Sequence, residues 1–233
     1  MPIYKIAELN IKITPVCPQT EKRLLPYLCD EQNFDFDASA TQAEIDEYIK
    51  NSTNPCIPHL AEDAIVLTKI SYAVLESYDG CFFHSSCLEL DGEGYMFTAL
   101  SGTGKSTHTR LWREYFGDRV TMINDDKPLI RRIDGKYYVC GTPWMGKSDI
   151  GCNMISPIKA IYVLKRGEEN RAEPTSPGKV IRQLMEATLL PQNRENMINL
   201  LSLFDELFKS AKLIELHCNT DIEAAKIAFD AAQ

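Results

Sequence analysis

Tyr95-Met-Phe-Thr-Ala-Leu-Ser-Gly-Thr-Gly-Lys-Ser-Thr-His108 decides how the chain is read. Its first six residues read as a strand, and the run from His108 to Trp112 begins a helix. Between them, Ala99 to Ser106 has the spacing of a phosphate-cradling loop, except that Ala99 stands where glycine is usual. The physical demands are specific. Gly102 and Gly104 allow a tight turn whose backbone N–H groups face inward onto phosphate oxygens. Lys105 is placed to reach β- and γ-phosphates, and the Ser106 hydroxyl to take Mg²⁺. The helix that follows turns its positive end to the same anion. Ser101, Gly102, Thr103, Gly104, Lys105, Ser106 and Thr107 are therefore the candidate contacts to ATP or another nucleotide. A turn that merely happens to be glycine-rich would need neither a strand before it nor a helix after it.

The second feature is Asn124-Asp125-Asp126, closing a short apolar strand from Val120 to Ile123. Carboxylates at the C-terminal end of a strand sit where open α/β sheets bind their ligands. Lys105 and Asp125 are 125 − 105 = 20 residues apart, room for one helix and a return strand beside the loop. One carboxylate suits a metal ion and the other a proton from an attacking hydroxyl. Side chains alternate along a strand, so the two roles should differ, with Asp125 favoured as base and Asp126 as metal ligand. The plainer reading is an Asx turn, which Asn and Asp form on their own. Lys127, next in line, is a candidate for neutralising phosphate charge. Gly141-Thr-Pro-Trp-Met-Gly-Lys147 is a loop able to recognise an acceptor, with Trp144 as platform and Lys147 as anion contact; packing is the alternative.

Outward from these motifs, strands and helices alternate. Cys81–Leu90 and 95–100 read as strands around an Asp91-Gly-Glu-Gly94 turn, and 105–116 reads as a helix. Residues 129–133 and 136–140 flank Asp134-Gly135, the strongest hairpin signal in the chain. A strand at 155–164, helices near 177–189 and 194–210, a strand at 213–216 and a helix from Asp221 complete the pattern. His108, Leu111, Trp112 and Tyr115 form a core stripe on the post-loop helix. Upstream, residues 3–14 read as strand, 33–37 as an edge strand, and Thr41 with Glu44 as a capping box. A long helix begins at Pro58, with Ile57, Leu60, Ala61, Ala64, Ile65, Ala73 and Val74 as its apolar stripe. The fold class is α/β on a mixed sheet, with a P-loop strand–helix unit. The expected organisation is an N-terminal α+β extension, 1–78, packed on a core at 79–233 in one compact unit.

Composition narrows the function. The 233 residues are 44% hydrophobic and 25% charged, an ordinary globular balance, and the net charge is 25 − 33 = −8. That acidity disfavours nucleic acid and anionic membranes as partners. No apolar stretch reaches membrane-spanning length and no signal peptide is visible, so a cytoplasmic protein is expected. The eight cysteines form no Cys-x-x-Cys pair, which fits reduced thiols and leaves zinc-ribbon and thioredoxin readings unsupported.

Taken together, Ser101–His108, Asn124-Asp-Asp-Lys-Pro128 and Gly141-Thr-Pro-Trp144 resemble the superfamily of HPr kinase/phosphorylase and phosphoenolpyruvate carboxykinase. They are most similar to its short bacterial HPr-kinase-like members, over roughly residues 80–165. The resemblance implies a nucleotide-binding core of that type, with a histidine one strand upstream of the loop. His84 falls at that place, where it would polarise the transferred phosphate or touch the metal. The expected activity is transfer of a γ-phosphoryl group to a hydroxyl on a protein, a peptide or a small alcohol such as serine, with homo-oligomers compatible. Two alternatives stand beside it: a carboxykinase-like lyase, and a nucleotide-binding regulator with little turnover. The short chain, and the lack of a placeable oxaloacetate-binding arginine set, weigh against the lyase.

Overall fold

The computed structural model describes residues 1–100 and 102–233, a mixed α/β chain with two sheets. In order, the first elements are β1 (Ile3–Ile6), β2 (Leu9–Lys12), α1 (Pro18–Leu24), β3 (Leu28–Cys29), β4 (Phe36–Asp37), α2 (Gln42–Asn51) and α3 (Pro58–Ser77). Next come β5 (Gly80–Phe82), β6 (Ser86–Leu90), β7 (Glu93–Thr98), α4 (Lys105–Phe116), β8 (Val120–Asn124), β9 (Leu129–Ile133) and β10 (Lys136–Cys140). The last are β11 (Ile155–Arg166), β12 (Arg171–Pro174), α5 (Pro177–Glu186), α6 (Arg194–Ser210), β13 (Lys212–Cys218) and α7 (Glu223–Ala231).

The smaller sheet runs β3-β1-β2-β4. Its β1–β2 hairpin turns at Ala7 and Glu8, both with positive φ, so the sequence carries no glycine or asparagine to announce it. Only Phe36 and Asp37 of the expected 33–37 edge strand pair, parallel to β2. The Thr41–Glu44 capping box forms with both reciprocal bonds.

The larger sheet runs β5-β9-β10-β11-β7-β6-β8, with β13 on the long strand β11 and β12 on β13. Two expectations change here. The strand expected across 81–90 breaks at 83–85, because β5 pairs with β9 while β6 pairs with β7 and β8. And β8 does not lie beside β7, since β6 inserts between them, antiparallel to both. The ends still coincide. Ser86 pairs with Phe97 and Cys87 with Asn124, so the start of β6 and the ends of β7 and β8 share one rim of the sheet. Parallel β11 pairs Val163 with Thr98 and ends on that rim too.

An aromatic cluster fills the space behind α4. Phe97 stacks on Tyr162 at 4.9 Å, Tyr95 meets Trp112 at 4.9 Å, and Trp112 meets Phe116 at 5.3 Å. His108, Leu111 and Trp112 are buried as the stripe predicts, but Tyr115, one turn on, is exposed. Helix α3 departs further from its expected stripe. Its buried face runs through Glu62, Val66, Ile70 and Val74, whereas Ile57 and Leu60 are exposed. The buried acid serves as a cap supplied from outside the helix it caps. Glu62 accepts the N–H groups of Val16 (2.6 Å) and Cys17 (2.9 Å) at the start of α1, orphan donors that no side chain of α1 itself caps. All eight cysteines are free thiols. No helix among the described residues is long and apolar enough to cross a membrane.

Candidate active site

The shared rim opens on a cleft of about 1070 Å³. Its floor is the segment joining β7 to α4. Gly104, the N-cap of α4, has φ +112, a left-handed conformation that a β-carbon penalises, and it offers no side-chain cap to the first turn. The positive end of α4 therefore faces the cleft uncapped among the described residues, with Gly102, Gly104, Lys105, Ser106 and Thr107 along it. Thr103 stands apart from the lining, its hydroxyl bonded to the Leu100 carbonyl at 2.7 Å. Ser101 lies outside the described residues. Arg166 at the end of β11 donates to the Gly102 carbonyl at 2.6 Å, fixing the loop from the neighbouring strand. Burial pushes the Lys105 ammonium down from its usual value, and the charges of Asp126 and Asp125 act against that shift.

Asp125 and Asp126 line the same cleft together, although successive strand residues would point apart. Strand β8 ends at Asn124, and the Asn124 side chain bends the chain there. Its Oδ1 accepts the N–H of Asp126 at 2.9 Å and of Lys127 at 2.7 Å, an Asx turn. Its amide donates to the Thr142 carbonyl at 3.0 Å. The plain turn and the acidic pair are thus one device, in which the turn presents both carboxylates.

The pair differs in what it touches. Asp126 Oδ1 lies 3.1 Å from His84 Nε2, and Oδ2 pairs with the Lys127 ammonium. Burial acts to raise the Asp126 carboxyl, but the bonds from His84 and Lys127 outweigh it and hold the group at about 2. Asp125, 8% exposed, accepts the Ser148 hydroxyl on Oδ2 at 2.5 Å, while its buried Oδ1 has no partner among the described residues. His84 sits in the break between β5 and β6, its N–H on the Ala187 carbonyl (2.5 Å) and its carbonyl accepting the Thr98 hydroxyl (3.1 Å). The break that interrupts the expected strand is what delivers His84 to the rim.

Trp144 and Lys147 also line the cleft. Trp144 is only 5% exposed and packs in the cluster that holds Leu129 and Cys140, so packing is much of its role; its indole N–H has no acceptor among the described residues. Gly146, at φ +69, lies directly over Asp126: a β-carbon there would come within 2.8 Å of Asp126 Cβ. Five lining residues that sequence reading passed over, Arg23, Leu60, Asp63, Ala64 and Leu67, come from α1 and α3. Met145 and Gly146 line the cleft from within the 141–147 loop expected to meet an acceptor, and Ser148, one residue beyond, was not expected there. The other histidine near the motif is no part of the site. Burial holds the His108 imidazole neutral, down to about 3, and its Nε2 accepts the Trp112 indole N–H at 3.0 Å.

No protein-family model and no curated protein matches the chain. Among solved structures it is similar to the Hpr(Ser) kinase/phosphatase from Coxiella burnetii, with a TM-score of 0.36 and 10% identity, over 64% of this chain and 94% of that one.

Among the described residues no three His, Cys, Asp or Glu side chains cluster as an all-protein metal cage. Mg²⁺ in phosphoryl-transfer sites needs no such cage, because water and phosphate oxygens fill most of its shell. The hydroxyl of Ser106 and an ionised carboxylate in one cleft fit that requirement.

Proposed function

We propose that the chain is an ATP-dependent phosphotransferase that moves the γ-phosphoryl group to a hydroxyl acceptor. One observation carries the reading: Lys105 and Ser106, Asp125 and Asp126, and His84, from three separate parts of the chain, line a single cleft at the N-terminus of α4. Triphosphate lies against Gly102–Thr107, with Lys105 at the β- and γ-phosphates. Ser106 and Asp126 would hold Mg²⁺, which when bound would supply charge neutralisation on the phosphate oxygens.

The acceptor oxygen attacks the γ-phosphorus as the bond to the β,γ-bridging oxygen breaks, and the diphosphate leaves with that electron pair. The hydroxyl proton goes to Asp125. The two carboxylates divide the work by environment: Asp126, held near 2 by His84 and Lys127, is a poor proton acceptor, whereas Asp125 Oδ1 has no partner among the described residues. His84, fixed by Asp126, polarises the transferred group, and Lys127 offsets its charge. Trp144 and Lys147 lie on the acceptor side.

Transfer of label from γ-labelled ATP tests the assignment. Asp125→Asn should keep Mg²⁺–ATP affinity within about twofold yet lose transfer by roughly 10²- to 10⁴-fold, the usual worth of a general base. Asp126→Asn should weaken metal-dependent nucleotide binding as well as turnover. The opposite pattern exchanges the two roles, and wild-type transfer by both variants contradicts the mechanism.

A further inference from the structure

One wall of the cleft is used by none of the steps above. Leu60, Asp63, Ala64 and Leu67 stand at i, i+3, i+4 and i+7 on α3, which places them on one helix face. That face is separate from the buried one through Glu62, Val66 and Ile70, and at its open end Leu60 is 49% exposed. Toward the other end, Leu67 and Met145 both pack against the hydrophobic cluster that contains Trp144, and both line the cleft. Arg23 of α1 joins this wall by pairing with Asp63, a carboxylate buried beside the Thr20 hydroxyl (3.3 Å). A guanidinium has five N–H donors in a fixed fork, more than one carboxylate can take. Arg23, 31% exposed, is thus anchored to the wall through Asp63, which offsets its charge, and has N–H donors beyond those that one carboxylate takes.

The cleft volume lies at the upper limit of single-ligand pockets, roughly 300–1,000 Å³. A nucleotide seated on α4 leaves room for a second small molecule. Resting on the phosphotransferase reading, we propose that the α3 face with Arg23 is the acceptor subsite, and that the acceptor is a small hydroxyl compound with an apolar body and an anionic group. The apolar body lies along Leu60, Ala64 and Leu67. The anionic group is met by Arg23 and by the exposed Lys147 across the cleft. The N-terminal segment therefore supplies the surface that selects the acceptor.

Leu60 gives a test that does not disturb packing, since it is exposed. Label transfer from γ-labelled ATP is measured to 3-phenyllactate, to its neutral amide, to phenyl-substituted glycerol phosphate, and to a serine-containing folded protein. The two anionic compounds separate carboxylate from phosphate recognition, and label on either supports the proposal. The amide should be at least tenfold poorer. Leu60→Asp, which places a negative charge on the wall, should raise the KM of the anionic acceptor at least tenfold, and Leu60→Lys should lower it or leave it unchanged. Nucleotide affinity should change less than twofold in both. An amide as good as its acid, a folded protein as the preferred acceptor, or silent Leu60 variants in an enzyme that binds and hydrolyses ATP would each overturn the subsite alone. Failure of the wild type to bind Mg²⁺–ATP would overturn the phosphotransferase reading and the subsite with it.

Discussion

Helices α4 and α3 meet the same cleft with opposite chemistry. Helix α4 arrives end-on and offers backbone: a first turn at Gly104 that is uncapped among the described residues, with Lys105 and Ser106 just inside it. Helix α3 lies along the cleft and offers side chains, with Leu60, Asp63, Ala64 and Leu67 on one flank. Backbone donors at a helix end suit any phosphate, because every helix N-terminus presents the same N–H groups and the same dipole. A helix flank has no chemistry until its residues are chosen. Under the proposed function, the first kind of surface would set what reaction is run and the second on which molecule. Substitutions on the two sides should accordingly fail in different ways.

The loop between these surfaces offers the sharpest break in that division. Gly146 has φ +69 and leaves no room for a β-carbon against Asp126. Gly146→Ala should lower label transfer roughly tenfold to a hundredfold, because displacing a group that positions the reacting centre by about an ångström costs that much. Gly92→Ala is the matched control: its φ is +83, but a β-carbon there meets nothing within 4 Å, and transfer should be unchanged. Equal losses in the two variants would mean that backbone strain, not contact with Asp126, is being measured.

A smaller effect separates the two sides of α4 itself. The His108 imidazole on the buried side is held down to about 3 by burial, against 6.5 for the free group. Between those values the unfolded chain takes up a proton that the folded chain refuses, so stability falls as pH falls from 6.5 toward 3. The slope from one such group is about 1.4 kcal/mol per pH unit. His108→Phe should remove it. The variant also leaves the Trp112 indole N–H without its acceptor, a cost that does not depend on pH. Urea unfolding at about pH 7, 6 and 5 reads the slope, and an unchanged slope in the variant would return the acid sensitivity to other groups.

Sequence was informative where structure is local, and the two helices mark the limit. The 105–116 helix, the Asp134-Gly135 hairpin and the Thr41–Glu44 cap match the folded chain, because glycine, capping residues and turn pairs act within a few residues. Asn124 could have been read more fully, since its preference for an Asx turn is what brings both aspartates to one side. The insertion of β6 between β7 and β8 is a pairing between distant segments, and spacing alone does not specify it. On α3 the periodicity gave the helix and, in Ala61 and Val74, part of its buried face, but not Glu62, Val66 and Ile70. Leu60 and Ala64 look like core residues, and Glu62 looks like a solvated acid; their places are reversed because α1 needs a cap and the cleft needs a wall. The break at 83–85 and the Ala7–Glu8 turn left no signal in residue type.

The central claim is that the N-terminus of α4 binds the triphosphate of a Mg²⁺–nucleotide. Calorimetric titration of ATP into the wild type and into Lys105→Ala, with and without Mg²⁺, addresses it directly. Lys105 sits at that helix end, partly desolvated and in one cleft with two carboxylates, so its removal tests the proposed polyanion contact. Loss of a charge-assisted contact of this kind costs about 1.5–3 kcal/mol, which is roughly ten- to a hundredfold in Kd. The expected result is Mg²⁺-dependent binding by the wild type that weakens by that factor in Lys105→Ala. Equal ATP affinity in the two proteins would contradict the account.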